Sequence, residues 1–163
     1  IQILTQAAKK HESVDPERVS IIGGSYGGFM VNWAIAHDPT YHRAVSDRCV
    51  SNLISKWGTS DYPFVPNAMW PGCVFRNDID QLWESSPIKH FGNAKTPTLI
   101  VHSVGDLRCA IEQGEQVFTA LKMLGVRTKM IRYPVTTSHG MSRNGPPDLR
   151  MHRLQAYLSW LGS

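Results

Sequence analysis

Short β-branched runs alternate along this chain with stretches of helical period. Val19, Ile21 and Ile22 form an apolar run that predicts a fully buried strand over Val19 to Ile22. Glycines turn the chain around Ser25, and Phe29 to His37 continues with helical character until Asp38-Pro39 stops it. Arg43 to Asp47 predicts a second strand, Thr98 to His102 a third introduced by Pro97, and Thr128 to Tyr133 a fourth. The clearest amphipathic helix is Ile111 to Leu124, with Val117, Leu121 and Leu124 on one face and Gly125 closing it. A final helix is predicted over Asp148 to Leu161, carrying Leu154, Tyr157, Leu158 and Leu161, after a loop from Thr136 to Pro147. Ile1 to Lys10 has the apolar spacing of an amphipathic helix, and Asp15-Pro-Glu reads as a turn or capped entry into the first strand. Strands alternating with helices imply an α/β fold, a parallel sheet of about four strands with helices on both faces.

Ser51 to Asn77 breaks that alternation. Pro63, Pro66 and Pro71 stand among Trp57, Tyr62, Phe64, Trp70 and Phe75, so the segment reads as a partly helical excursion over the sheet. Its aromatic residues either line a pocket for an apolar side chain or pack the excursion onto its own domain. Leu82 to Phe91 carries a helical turn and the Ser86-Pro87 break.

With 163 residues, 42% of them hydrophobic and 18% charged, one domain spanning 1–163 can bury a real core, and disorder is excluded on composition. No internal repeat or interdomain linker divides it. The net charge is +4, but the basic residues are scattered and no run exceeds Lys9-Lys10, so no nucleic-acid surface is supported. No apolar run approaches a membrane span and no signal peptide is visible, so no membrane partner is expected. Cys49, Cys73 and Cys109 are widely spaced and odd in number, which predicts buried free thiols in a reducing compartment, the cytoplasm. Without a His-x-x-x-His or Cys/His cluster, neither a metal nor a cofactor is expected.

The chemistry centres on Gly23-Gly-Ser-Tyr-Gly27, which fits G-x-S-x-G. Strand before and helix after are the context this motif needs: a strained turn that lifts the Ser25 hydroxyl clear of the sheet. Its neighbours two positions either side should need little or no side chain. The backbone N–H of Tyr26, at the positive end of the following helix, is then aimed to stabilise an oxyanion. A serine hydroxyl barely ionises at neutral pH, so it needs a base, and the base needs an acid to fix its tautomer. Asp106 leaves the third strand and His139 the fourth, in the order Ser, Asp, His, at the edge where such groups gather. His102 ends a strand and reads as a structural residue beneath the site. His152 lies in the last helix, His11 precedes the first strand, and His37 and His42 flank Pro39 on the wrong side of the sheet order. Asp47 also ends a strand and is the competing acid, its alternative role being a structural hydrogen bond.

Gly23-Gly-Ser-Tyr-Gly-Gly28, Ser86-Pro87, Thr96-Pro-Thr-Leu-Ile-Val-His-Ser103 and Asp106-Leu-Arg108 together resemble the catalytic domain of the prolyl oligopeptidase superfamily. His139-Gly-Met-Ser-Arg-Asn-Gly-Pro-Pro147, followed by Arg150, resembles its acylaminoacyl-peptidase-like branch. The likeness covers nearly the whole chain. It implies a serine peptidase acting on short peptides through an acyl-enzyme, with Ser25 as nucleophile, Asp106 as orienting acid, His139 as general base and Tyr26 N–H in the oxyanion hole. Arg108 matches an arginine that relatives use to hold a substrate carbonyl; its alternative is a surface ion pair. Arg143 and Arg150 are expected to brace the histidine loop. Val104 and Ala110 depart from residues common in relatives and leave the subgroup open. A carboxylesterase on the same scaffold is the alternative enzyme.

The same resemblance implies an α/β-hydrolase sheet of which only the C-terminal half is present here. The N-terminal half, with the second oxyanion donor, and a β-propeller common in relatives, would lie in a remaining N-terminal part of the same protein. The first strand should then pair with a segment not in this sequence or lie on an exposed edge. Alone, the chain would be a feeble catalyst or an inactive fragment; homo-oligomerisation stays open.

Overall fold

The computed structural model describes residues 1–62 and 79–163. The part of the predicted excursion holding Pro63, Phe64, Pro66, Trp70, Pro71, Cys73 and Phe75 lies outside the described residues. Helix α1 (Gln2–Lys9) precedes a 3-10 turn, Pro16–Arg18, whose entry Asp15 caps by accepting the Glu17 N–H at 3.0 Å. Strand β1 (Ile21–Gly24) runs straight into α2 (Tyr26–His37). There follow β2 (Ala44–Asp47), α3 (Leu53–Thr59), α4 (Ile79–Glu84) and a 3-10 stretch, Pro87–Asn93. The second half holds β3 (Thr98–Ser103), α5 (Glu112–Met123), β4 (Thr128–Tyr133), α6 (Met141–Asn144) and α7 (Pro147–Gly162).

The four strands are all parallel and stand in chain order, β1-β2-β3-β4. Their side chains alternate between two covered faces. Ala44 and Ile100 join Ile35 of α2 and Val117 and Leu121 of α5 on one face. Val45, Leu99 and Val101 meet Tyr157 and Trp160 of α7 on the other. Burial on both faces is why β3 reads as a nearly continuous apolar run. Strand β1, expected over Val19 to Ile22 as a fully buried strand, instead spans Ile21–Gly24 and stays only partly buried because it has one pairing neighbour. The carboxyl ends of all four strands open toward one rim, where the loops of interest leave the sheet.

Boundaries move where glycines were read as turn. β1 extends over Gly23 and Gly24, which pair with Ser46 and Asp47, and α2 starts at Tyr26 directly after Ser25. The expected loop over Thr136 to Pro147 holds the short α6, anchored by buried Met141. Helix α5 buries Val117 and Leu121, but Leu124 stands 44% exposed at its C-cap, which the chain leaves through Gly125 at φ 73°. Likewise α7 buries Tyr157 and Trp160 and leaves Leu154 and Leu158 outward. β1 is the edge strand, as expected, and its Ile22 is half-exposed on the α7 side. Cys49 and Cys109 are buried free thiols. Among the described residues no helix is long and apolar enough to cross a membrane.

Candidate active site

Ser25 sits between β1 and α2 at φ 61°, ψ −121°, a backbone conformation that L residues avoid. Its N–H donates to the Asp47 carbonyl at 3.0 Å, and its own carbonyl receives the Phe29 N–H at 3.0 Å, so strand and helix both hold the turn. The two motif glycines turn out to be unequal. A Cβ on Gly23 would stand 2.2 Å from the Gly27 carbonyl oxygen, whereas a Cβ on Gly27 would meet nothing within 4 Å. Gly28 is the crowded one on the helix side: its Cβ would lie 2.8 Å from both the Asp47 oxygen and the Cys49 side chain. Tyr26 opens α2, so its N–H has no intrahelical partner. Its ring is half-exposed and stacks on Phe29 with centroids 5.7 Å apart.

The structure brings Ser25, His139 and Asp106 together. Ser25 Oγ and His139 Nε2 are 2.9 Å apart, and His139 Nδ1 and Asp106 Oδ2 are 2.7 Å apart. One tautomer satisfies both bonds: Nδ1–H donates to the carboxylate, leaving Nε2 to accept from the hydroxyl. The other carboxylate oxygen, Asp106 Oδ1, accepts the backbone N–H groups of Arg108 and Cys109, each at 2.9 Å. Asp106 is buried, so its orientation is set by these three donors.

Beneath it, His102 Nε2–H donates to the Cys109 carbonyl at 2.7 Å and lies 3.6 Å from Asp106 Oδ2. Burial pushes this imidazole below its ordinary value, outweighing the Cys109 bond and the Asp106 charge that act the other way. Gly114 lets α5 close over the ring, since a Cβ there would stand 2.7 Å from His102 Nδ1. The Cys109 thiol is pushed up to about 12, first by burial and then by the Asp106 charge, and so is a poor nucleophile.

Arg108 reaches away from its own backbone contact with Asp106. Its Nε donates to Asp61 Oδ1 at 2.8 Å, and its guanidinium lies 4.9 Å from the Tyr62 ring centroid. The half-exposed pair raises the guanidinium above its ordinary value through the Asp61 hydrogen bond.

The competitors are occupied elsewhere. Asp47 Oδ2 accepts from Arg48 Nη1 at 3.1 Å and from Arg153 Nε and Nη2 at 3.0 and 2.8 Å. His152 Nδ1 bonds the Tyr133 hydroxyl at 2.9 Å, and His37 Nδ1 bonds the Trp33 carbonyl at 2.8 Å. Arg150 Nη1 donates to the Arg143 carbonyl at 2.9 Å, bracing the segment after His139 as expected. One contact beside the site was not legible in the sequence: Arg48 Nη1 donates to Ser142 Oγ at 2.6 Å. Among the described residues no group of three potential metal ligands comes together.

A parallel sheet carrying a serine elbow after its first strand here, an acid after the third and a histidine after the fourth is the arrangement of the α/β-hydrolases. The prolyl oligopeptidase family profile matches residues 1–163, and the chain belongs to that family. It is 41% identical over 160 residues to the uncharacterized peptidase YuxL of Bacillus subtilis (strain 168), covering 98% of this chain and 24% of that protein. It is 31% identical over 154 residues to the acylamino-acid-releasing enzyme of Mus musculus, covering 87% of this chain and 20% of that protein. The solved Pyrococcus horikoshii acylaminoacyl peptidase superposes with a TM-score of 0.88 at 26% identity, over 98% of this chain and 26% of that one. The chain thus spans about a quarter of the length of the relatives it matches.

Proposed function

We propose that this chain carries the catalytic centre of a serine peptidase that hydrolyses short peptides, of the kind that releases N-acylated amino acids. The observation that supports it is the continuous bond path from Ser25 Oγ through both His139 nitrogens to Asp106, at 2.9 and 2.7 Å. On this reading Ser25 Oγ attacks the scissile carbonyl while its proton passes to His139 Nε2. Asp106 stabilises the imidazolium and holds it in place. The Tyr26 N–H stabilises the oxyanion of the tetrahedral intermediate. Collapse breaks the C–N bond, His139 returns the proton to the departing amine, and an acyl-Ser25 ester remains. Water, deprotonated by His139, then hydrolyses that ester and restores the hydroxyl. Arg108, presented by Asp61 and Tyr62, is the residue that would hold a substrate carbonyl.

The chain would act as the C-terminal part of a hydrolase domain, completed by an N-terminal part of the same protein. The edge position of β1 and its half-exposed Ile22 support this, since a further pairing strand would satisfy both. Two buried free thiols suit a cytoplasmic setting.

A fluorophosphonate probe, which phosphonylates an activated serine, should label the full-length protein at Ser25. Absence of labelling, or labelling that persists in Ser25→Ala, would defeat the proposal.

A further inference from the structure

Arg48 directly follows β2 and holds φ 38°; among the described non-glycine residues only Ser25 shares a positive φ. Such a conformation costs free energy and persists where surrounding contacts over-determine it. Here those contacts lead to both halves of the candidate site. The Arg48 N–H donates to the Val101 carbonyl at 2.7 Å, fixing the bend against β3. The guanidinium lies on Gly24, the residue before Ser25: a Cβ there would stand 3.0 Å from Arg48 Cζ. Nη1 then donates to Ser142 Oγ at 2.6 Å and to Asp47 Oδ2 at 3.1 Å. Ser142 belongs to α6, three residues beyond His139. Asp47 in turn holds the Ser25 N–H through its main-chain carbonyl.

Neutralising Asp47 does not account for this arrangement. Arg153 already donates twice to the same Asp47 oxygen from α7. What Arg48 adds is a flat cation wedged between the nucleophile turn and the segment that carries the histidine. A guanidinium can lie face-down on a glycine and donate sideways in its own plane; an ammonium cannot do both.

We propose that Arg48 is a positioning residue that sets the Ser25–His139 separation by tying the Gly24 side of the elbow to Ser142. This rests on the reading of Ser25 and His139 as nucleophile and base. The role differs from fold stabilisation, because it acts on the chemical step and leaves encounter with substrate alone.

The test is saturation kinetics of fluorophosphonate labelling on the full-length protein, separating the limiting rate from the half-saturating concentration. Ser142→Ala removes the tether while leaving the Asp47–Arg48 pair, and Arg48→Met removes the whole wedge. Each should lower the limiting rate about tenfold, short of the ~10²-fold that a 1 Å misplacement can cost. The half-saturating concentration should not move. The double variant should be no slower than Arg48→Met alone, because both act through one contact. Arg48→Lys should regain only part of the rate. A wild-type rate in Ser142→Ala overturns the proposal even if Arg48→Met fails to fold, as do losses that multiply in the double variant. Wild-type protein that takes no label would sink the functional reading, and this inference with it.

Discussion

Replacing Gly23 with alanine tests whether the elbow is built as described. The added Cβ would stand 2.2 Å from the Gly27 carbonyl oxygen and 2.4 Å from its carbon, against ordinary contact from 3.4 Å. Strand β1 and the first turn of α2 must therefore part by about 1 Å. Both contacting atoms are backbone, so no rotamer change relieves the clash. Overpacking of this kind costs ~1–3 kcal/mol, and a chain of this size loses roughly 2–4 °C of melting temperature per kcal/mol. The larger effect should fall on reactivity. Ser25 Oγ is 2.9 Å from His139 Nε2, and a further ~1 Å takes it out of hydrogen-bond reach, worth on the order of 10²-fold in rate. Gly27→Ala is the internal control, since that Cβ meets nothing within 4 Å and replacing a helical glycine gains up to ~1 kcal/mol. Melting followed by circular dichroism, together with fluorophosphonate labelling rate, reads both terms. Gly23→Ala that melts and labels like Gly27→Ala would refute the geometry argued for the turn.

Asp106→Asn should lower the labelling rate by ~10⁴-fold with the fold intact, as a wrong imidazole tautomer does, while Asp47→Asn should cost ~3–5 kcal/mol in denaturant unfolding and no more than about tenfold in labelling of the folded fraction. His102 titrates below its ordinary value in the folded protein, so the unfolded chain takes up that proton first as pH falls through about 6.5. Stability should therefore decline below that pH, and His102→Gln should flatten the acid limb of the stability profile. Cys109 runs the other way. Its thiol keeps its proton until about pH 12 in the fold, so stability is fully present below ~8.5 and lost as pH rises toward 12; Cys109→Ala should remove that alkaline loss. Iodoacetamide at neutral pH should leave Cys49 and Cys109 unmodified in the folded protein, as mass spectrometry would show.

The strands and the order of functional groups could be read from sequence because both rest on local rules. Two-sided burial forces the nearly continuous apolar run of Thr98 to His102, and β4, an outer strand with Lys129 and Arg132 exposed, falls on the expected residues Thr128 to Tyr133. What escaped reading depends on contacts far apart in sequence. Nothing local says that Gly23 and Gly24 belong to the ladder, since their strand geometry comes from pairing with Ser46 and Asp47. Leu154 and Leu158 stay exposed because α7 packs on Val45, Leu99 and Val101 through Tyr157 and Trp160 instead. The Arg48–Ser142 bond spans 94 residues and has no sequence signature. Arg108 shows the same limit in another form: its motif position was legible, its Asp61 partner 47 residues earlier was not.

Asp47 and Asp106 show why an acid at a strand end cannot be assigned from position alone. Both follow the same logic of place, at or just beyond the carboxyl ends of adjacent parallel strands, and both are buried. Their donors divide them. Asp47 is surrounded by fixed cations, Arg48 and Arg153, which leave its charge compensated and its oxygen occupied. Asp106 is met by neutral dipoles, two backbone N–H groups on one oxygen and His139 on the other. A carboxylate compensated by arginines has little left to offer an imidazole that gains a proton during reaction. One held by peptide N–H groups is oriented and still carries the full charge that an imidazolium requires. The tight Asp106-Leu-Arg-Cys109 turn supplies those N–H groups, and His102 fixes the Cys109 carbonyl from below, so the turn cannot rotate them away. The donors that the neighbouring elements supply, rather than the location of the residue, separate the two acids: Asp47 is tied to arginines and Asp106 to His139.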